Sequence, residues 1–112
     1  MNNKEDCIDM WVWLSEHPSK IKAEYFEENK IEHEPPYECY ACAEVKERSN
    51  GYGICPINWI GDKGRECTLG TGYGDCVHKS SPYYKWQDSY TAKEHSLYAE
   101  EIVQLIKDTW ED

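Results

Sequence analysis

Cys39-Tyr40-Ala41-Cys42, followed by Cys55 after twelve residues and Cys67 after eleven more, sets four thiols at the spacing of a single metal site. A Cys-x2-Cys pair can aim two thiolates at one ion at about 2.3 Å each, and Zn²⁺ takes four such ligands in a tetrahedron. Four cysteines leave no position open for water, so the pattern predicts one structural Zn²⁺ per chain. Cys76 and His78 are alternate ligands, since both residue types bind zinc. Pro56 fixes the backbone as the chain leaves Cys55, and Trp59 is expected to cover the site as an apolar lid.

Size and composition fit a metal-stapled scaffold. The 112 residues predict one domain, 1–112, with a modest core. The chain is polar, with a mean hydropathy of −0.88. Its aromatic residues are nine Tyr and five Trp against one Phe. Tyr and Trp carry a polar handle, which suits a thin core, and a thin core needs a staple. No segment approaches the roughly 20 apolar residues of a membrane span. Residues 1–6 are polar and lean acidic, unlike a secretory leader with its basic start and apolar run. The expected location is the cytoplasm, where thiols stay reduced. Zinc is therefore favoured over disulfides, which six cysteines could form in about 15 pairings.

Outward from the cysteines, periodicity predicts helices at both ends. Over residues 3–16, Cys7, Met10, Trp11 and Leu14 fall on one stripe, and His17-Pro18 ends the helix. Cys7 on that stripe reads as a small core hydrophobe. Ser19 is expected to cap a charged second helix over 20–29, with Ile21, Tyr25 and Phe26 on its thin apolar face. The helical N-terminal part thus covers 3–30, and Glu34-Pro35-Pro36 is a rigid connector. Residues 37–88 hold all seven Gly and predict a turn-rich, zinc-organised segment with short hairpins. Over 91–111, Thr91 and Glu94 form a capping box, and Ala99, Ile102, Val103, Ile106 and Trp110 follow at helical spacing. The fold class is small α+β, mainly α, with terminal helices packed on a zinc-knuckle core. Trp59 and Trp86 are expected in that core; His17, His33 and His95 are expected at a solvated surface.

Charge is unevenly spread. Residues 1–38 hold four Lys against ten Asp and Glu, residues 39–90 six basic against six acidic, and residues 91–112 two Lys against six acidic. A nucleic-acid binder carries a basic patch or stripe, and the net charge of −10 argues against one. The alternative, a zinc-finger protein stacking bases on its aromatics, would rely on Lys63, Arg65, Lys79 and Lys85.

Signatures of catalysis are missing. There is no His-x-Glu of a deaminase, and Cys55-Pro56 runs opposite to the Pro-Cys of that motif. His33-Glu34 lacks the second His of a zinc protease helix, and Gly70-Thr71-Gly72-Tyr73-Gly74 lacks the Gly-Lys-Ser/Thr of a phosphate loop. A non-enzyme is expected; a second alternative, a metalloenzyme, would need an open metal site around Cys76 and His78.

Several pieces resemble a family of small proteins encoded by phages and prophages, mostly of Gram-positive hosts. The matching pieces are Trp11-Val12-Trp13-Leu14, Glu24-Tyr25-Phe26, Cys39-Tyr40-Ala41-Cys42, Cys55-Pro56-Ile57-Asn58-Trp59, Cys67, Tyr83-Tyr84-Lys85-Trp86 and the acidic C-terminal helix. The resemblance spans most of the chain, with Cys-Pro-Ile-Asn-Trp its most specific part. It implies a phage origin, an infected bacterial host as the setting, and a metal knuckle, but no reaction. Members often carry a Cys three residues before the Cys-Pro, where Tyr52 stands here, which leaves Cys67 as the natural fourth ligand.

Together these readings predict a factor that binds a host protein, a defence component, through an acidic surface. Its sharper form is nucleic-acid mimicry by Glu24, Glu27, Glu28 and Glu32 together with Glu100, Glu101, Asp108, Glu111 and Asp112. The bland alternative is acidity that merely keeps a small protein soluble.

Overall fold

α1 runs over Asn3–Glu16, the predicted bounds, and buries the predicted stripe of Cys7, Met10, Trp11 and Leu14. Asn2 caps it, its Oδ1 accepting the Glu5 N–H at 2.9 Å, and His17 ends it before Pro18. The computed structural model describes residues 2–35, 39–49, 52–54, 57, 66–68 and 81–110. Within them the chain is mostly helical, with α2 (Lys22–Glu28), α3 (Tyr40–Ser49), β1 (Tyr52–Ile54), β2 (Glu66–Thr68), α4 (Pro82–Asp88) and α5 (Ala92–Thr109) following α1.

α5 is the second pillar. Thr91 Oγ1 accepts the Glu94 N–H at 3.1 Å, as its sequence predicts, and Ala99, Ile102 and Ile106 are fully buried. α1 and α4 pack on α5, α2 and α3 pack on α1, and β1 packs on α3. Polar ties fix the helix ends: Ser96 Oγ donates to the Ser15 carbonyl (2.8 Å), and Asn3 Nδ2 donates to Glu44 (3.0 Å) and Glu47 (3.1 Å) on α3. Trp11 is the aromatic hub, meeting Trp86 edge-on at 4.9 Å and Tyr83 at 5.8 Å between ring centroids. Such edge-to-face pairs add to area burial by about 0.5–1.5 kcal/mol. Trp86 is buried, as expected, but its indole N–H has no hydrogen-bond partner among the described residues.

Four expectations are corrected. The segment 37–88 is not only turns: α3 and α4 lie inside it. Tyr40 to Ser49 contains two Ala, two Glu, Lys and Arg, which favour a helix over the turns expected in this segment. Ser81-Pro82 is a cap followed by the residue best suited to a first helical turn, and Ser81 Oγ accepts the Tyr83 N–H at 3.1 Å. α2 begins at Lys22 with Ile21, not Ser19, at its N-cap; the Glu24 carboxylate reaches back to the Ile21 N–H at 3.2 Å. The apolar face of α2 consequently changes, with Ile21 half exposed and Lys22 buried beside Tyr25 and Phe26. His95 is not a solvated residue: it is half-buried, stacks on Trp86 at 4.7 Å, and its Nδ1 sits 2.8 Å from the Pro18 carbonyl.

The two strands form one antiparallel pair, with Gly53 opposite Cys67 and Ile54 opposite Glu66. α2 ends in a Schellman turn. Lys30 donates to the Glu27 carbonyl (3.3 Å) and Ile31 to that of Phe26 (3.0 Å), with Lys30 left-handed at φ 54°. That turn aims Ile31 and Glu32 back toward α1.

Candidate functional site

The predicted metal ligands divide between described and undescribed residues. Cys39 stands at the N-cap of α3: its carbonyl accepts the Ala43 N–H at 3.1 Å, and its Sγ accepts the Cys42 N–H at 3.1 Å. The sulfur thus takes the place of an N-cap oxygen, satisfying one of the free N–H groups of the first turn. Cys67 lies on β2, opposite Gly53 of β1. Cys55, Cys76 and His78 lie outside the described residues, as does Trp59. Ile57, two residues past Cys55, is buried and lines the same small gap as Cys39. Among the described residues, no three His, Cys, Asp or Glu side chains are grouped to hold a metal ion.

The gap beside Cys39 is lined also by Cys7, Lys22, Tyr40 and Tyr83, and at about 10 Å³ it takes no more than one water. It offers no room for a substrate. Cys7 is a buried free thiol. Burial pushes its pKa far up, and the neighbouring Cys39 adds to the rise against the opposing pull of Lys22 and the Ala41 backbone. Cys7 therefore stays protonated and packs as a hydrophobe, in line with its place on the α1 stripe.

Lys22 is the residue that sequence reasoning missed. It is only 6 % exposed, with its ammonium 4.3 Å from the Tyr83 ring centroid and 5.9 Å from that of Trp11. Aromatic faces hold a desolvated cation, and here the same gap is also lined by Cys7 and Cys39. The signal was present in the spacing of Lys22, Tyr25 and Phe26 at i, i+3 and i+4, but a lysine is ordinarily assigned to the wet face.

Of the acids predicted to form a partner surface, those on α2 are partly engaged. Lys20 pairs with both Glu24 (3.4 Å) and Glu28 (3.3 Å), and Glu24 also caps its own helix. Glu27 and Glu32 are exposed. On α5, Glu100, Glu101 and Asp108 are exposed, and Asp108 accepts the Gln104 amide at 2.9 Å. Glu111 and Asp112 lie outside the described residues. Of the cations invoked for nucleic-acid binding, Lys85 is exposed on α4, and Lys63, Arg65 and Lys79 lie outside the described residues.

A second acidic feature was not foreseen. Asp6 and Asp9 on α1, Tyr25 on α2, Lys30 to His33 after it and Tyr40 on α3 line one open groove. Burial raises the Asp6 pKa, and Asp9 and Glu5 add to the rise against the pull of the amino terminus. Burial pushes the Tyr40 hydroxyl up to about 12, with Tyr25, Asp6, Cys7 and Asp9 contributing; Tyr25 is raised in the same way. No motif could have flagged this groove, because it is assembled from three helices and a turn.

No described helix is long and apolar enough to cross a membrane. No family model, curated protein or solved structure matches the chain.

Proposed function

We propose that this chain is a non-enzymatic, phage-encoded, zinc-stabilised factor that binds a host protein through acidic surface, a defence component being the intended target. The observation that carries the reading is the wet side of α5. Glu100, Glu101 and Asp108 stand exposed on an eighteen-residue helix whose other side is locked into the core, and none of the three is in an ion pair among the described residues. Unneutralised charge on a rigid element gives fast, salt-sensitive association with a basic partner. In its mimicry form the reading now leans on α5 and on Glu27 and Glu32, since Lys20 holds Glu24 and Glu28.

The zinc component places one ion on Cys39, Cys42, Cys55 and Cys67. Its support is local. Cys39 already accepts a backbone N–H, and the chain on either side of Cys55 runs beside Cys39 (through Ile57) and Cys67 (through Gly53). Lys22 lines the same gap as Cys39, and its charge would offset part of the excess negative charge of four thiolates. The ion would hold α3 and the strand pair together and supply no chemistry.

The test is capture from a host lysate on the tagged chain, with and without nuclease, read by mass spectrometry. One host protein retained after nuclease supports the reading. Retention only in untreated lysate would replace it with nucleic-acid binding.

A further inference from the structure

An open cleft of about 340 Å³ lies between the start of α2, α4 and the first turn of α5, lined by Ile21, Lys22, Tyr83, Trp86, Gln87 and His95. Its size is that of a small-molecule site. Its charge is the reverse of the chain's. The sequence holds 22 Asp and Glu against 12 Lys and Arg, yet among the described residues no acid lines this cleft. Two acids that adjoin it in sequence are engaged elsewhere, Glu24 with Lys20 and the Ile21 N–H, and Glu94 with Thr91. The wall instead carries the buried Lys22, whose ammonium lies 4.3 Å from the Tyr83 ring centroid.

A second observation belongs to the same wall. Trp86 is 4 % exposed, and its indole N–H is the one buried side-chain polar group without a hydrogen-bond partner among the described residues. Buried indole N–H groups ordinarily find one. The basic residues of the cleft cannot supply it. Lys22 carries only donors. The His95 ring lies stacked on Trp86, 12° between planes, out of reach of an N–H in the indole plane, and its Nδ1 is taken by the Pro18 carbonyl.

We propose that this cleft binds a carboxylate carried on a small apolar body. A carboxylate only accepts, so it answers both the indole N–H and the Lys22 ammonium, and hydrogen bonds to a charged acceptor are the stronger kind. The apolar body lies against Tyr83 and Ile21, a side chain that is otherwise left 53 % exposed. Gln87 is exposed and makes no hydrogen bond among the described residues; its side chain turns aside to admit the carboxylate to the covered N–H. This inference goes beyond the protein-binding reading and does not depend on it.

A free organic acid and the C-terminal end of a peptide both present this group, so the experiment titrates the full chain with each: 3-phenylpropanoate, and acetyl-Gly-Gly-Phe with a free carboxyl. NMR follows the Trp86 indole N–H, and calorimetry gives the affinity. A saturable downfield shift of that N–H is expected with at least one of them, and the tighter of the two names the source. 3-Phenylpropanamide, which keeps the ring and loses the charge, should leave the N–H in place. Trp86→Phe keeps an aromatic ring without the donor and should weaken binding about tenfold. Gln87→Glu, an exposed change that leaves the core alone, should weaken it at least as much by repulsion, whereas Gln104→Glu adds the same charge on α5 outside the cleft and should not. The proposal is overturned if neither carboxylate gives a saturable shift, if the amide shifts the N–H equally, or if Gln104→Glu weakens binding as much as Gln87→Glu.

Discussion

One face of α1 carries Met10, Trp11 and Leu14 into the core, each 2 % exposed or less; the neighbouring face carries Asp6 and Asp9 to an open groove. The first contributes stability through apolar burial, about 1.5–3 kcal/mol for a side chain of that size. The second works against stability, because the Asp6 carboxylate is partly desolvated beside like charges. The same contrast recurs on α5, where Ile102 and Ile106 are sealed and Glu100 and Glu101 project into water. A helix that both holds a small fold and displays unneutralised charge separates the two tasks by face. Residues that cost stability without repaying it in packing are the ones to examine for binding.

The largest effect tests whether the cysteine segment is held by metal rather than by the helical frame. Cys67→Ser should release zinc and lose hydrogen-exchange protection in α3, since metal affinity in such sites is folding energy on the order of 10 kcal/mol. Cys76→Ser should keep both. Native mass spectrometry with exchange on each variant reads the outcome, and the reverse result would make Cys76 the fourth ligand.

Next comes the dry side. Ile106→Ala leaves a void against α1 and should lower stability by about 2–5 kcal/mol in urea unfolding. A loss under about 1 kcal/mol would mean that the α1–α5 contact is not the main core.

The remaining changes should stabilise, which makes them the sharper half of the contrast. Lys30 sits left-handed at φ 54°, where a helix-ending Schellman turn favours glycine. Lys30→Gly should gain about 1 kcal/mol, seen as a higher melting temperature. Asp6→Asn should gain less, under about 1 kcal/mol after solvent screening. Its sign follows from linkage. The folded pKa of Asp6 lies above its ordinary 3.8, so the ionised carboxylate costs stability at neutral pH. That cost fades as pH falls through the folded pKa and is gone below 3.8. The asparagine variant should therefore melt higher at neutral pH and at the same temperature as wild type in acid, by parallel thermal scans.

How much of this was legible in the sequence depended on the range of the interactions. α1 and α5 could be read to within a residue or two, because helical periodicity and the Thr91–Glu94 cap are local and agree with each other. α3 was missed because Cys39 and Cys42 were read as a metal turn, although a helix N-terminus serves the same two thiols. The Ser81-Pro82 start of α4 carried its own signal and was passed over inside a glycine-rich segment. Lys22 could not be assigned to the interior, since Tyr83 and Trp11, whose rings its ammonium faces, come from other elements. His95 was misjudged for the same reason: its partners, Trp86 and Pro18, come from other elements. The groove is the extreme case, because its acids come together with Tyr25 and Tyr40 only once α2 and α3 pack on α1.

The central claim is that the acidic faces bind while the buried faces only hold the fold. Its most direct test is nuclease-treated capture from host lysate with the wild-type chain beside Glu100→Lys, Glu101→Lys and Asp108→Lys combined, in a variant whose zinc content and melting temperature match wild type. The account predicts one host protein retained by the wild type and lost from the reversed chain, with retention falling as salt rises. Equal retention by both chains would contradict it.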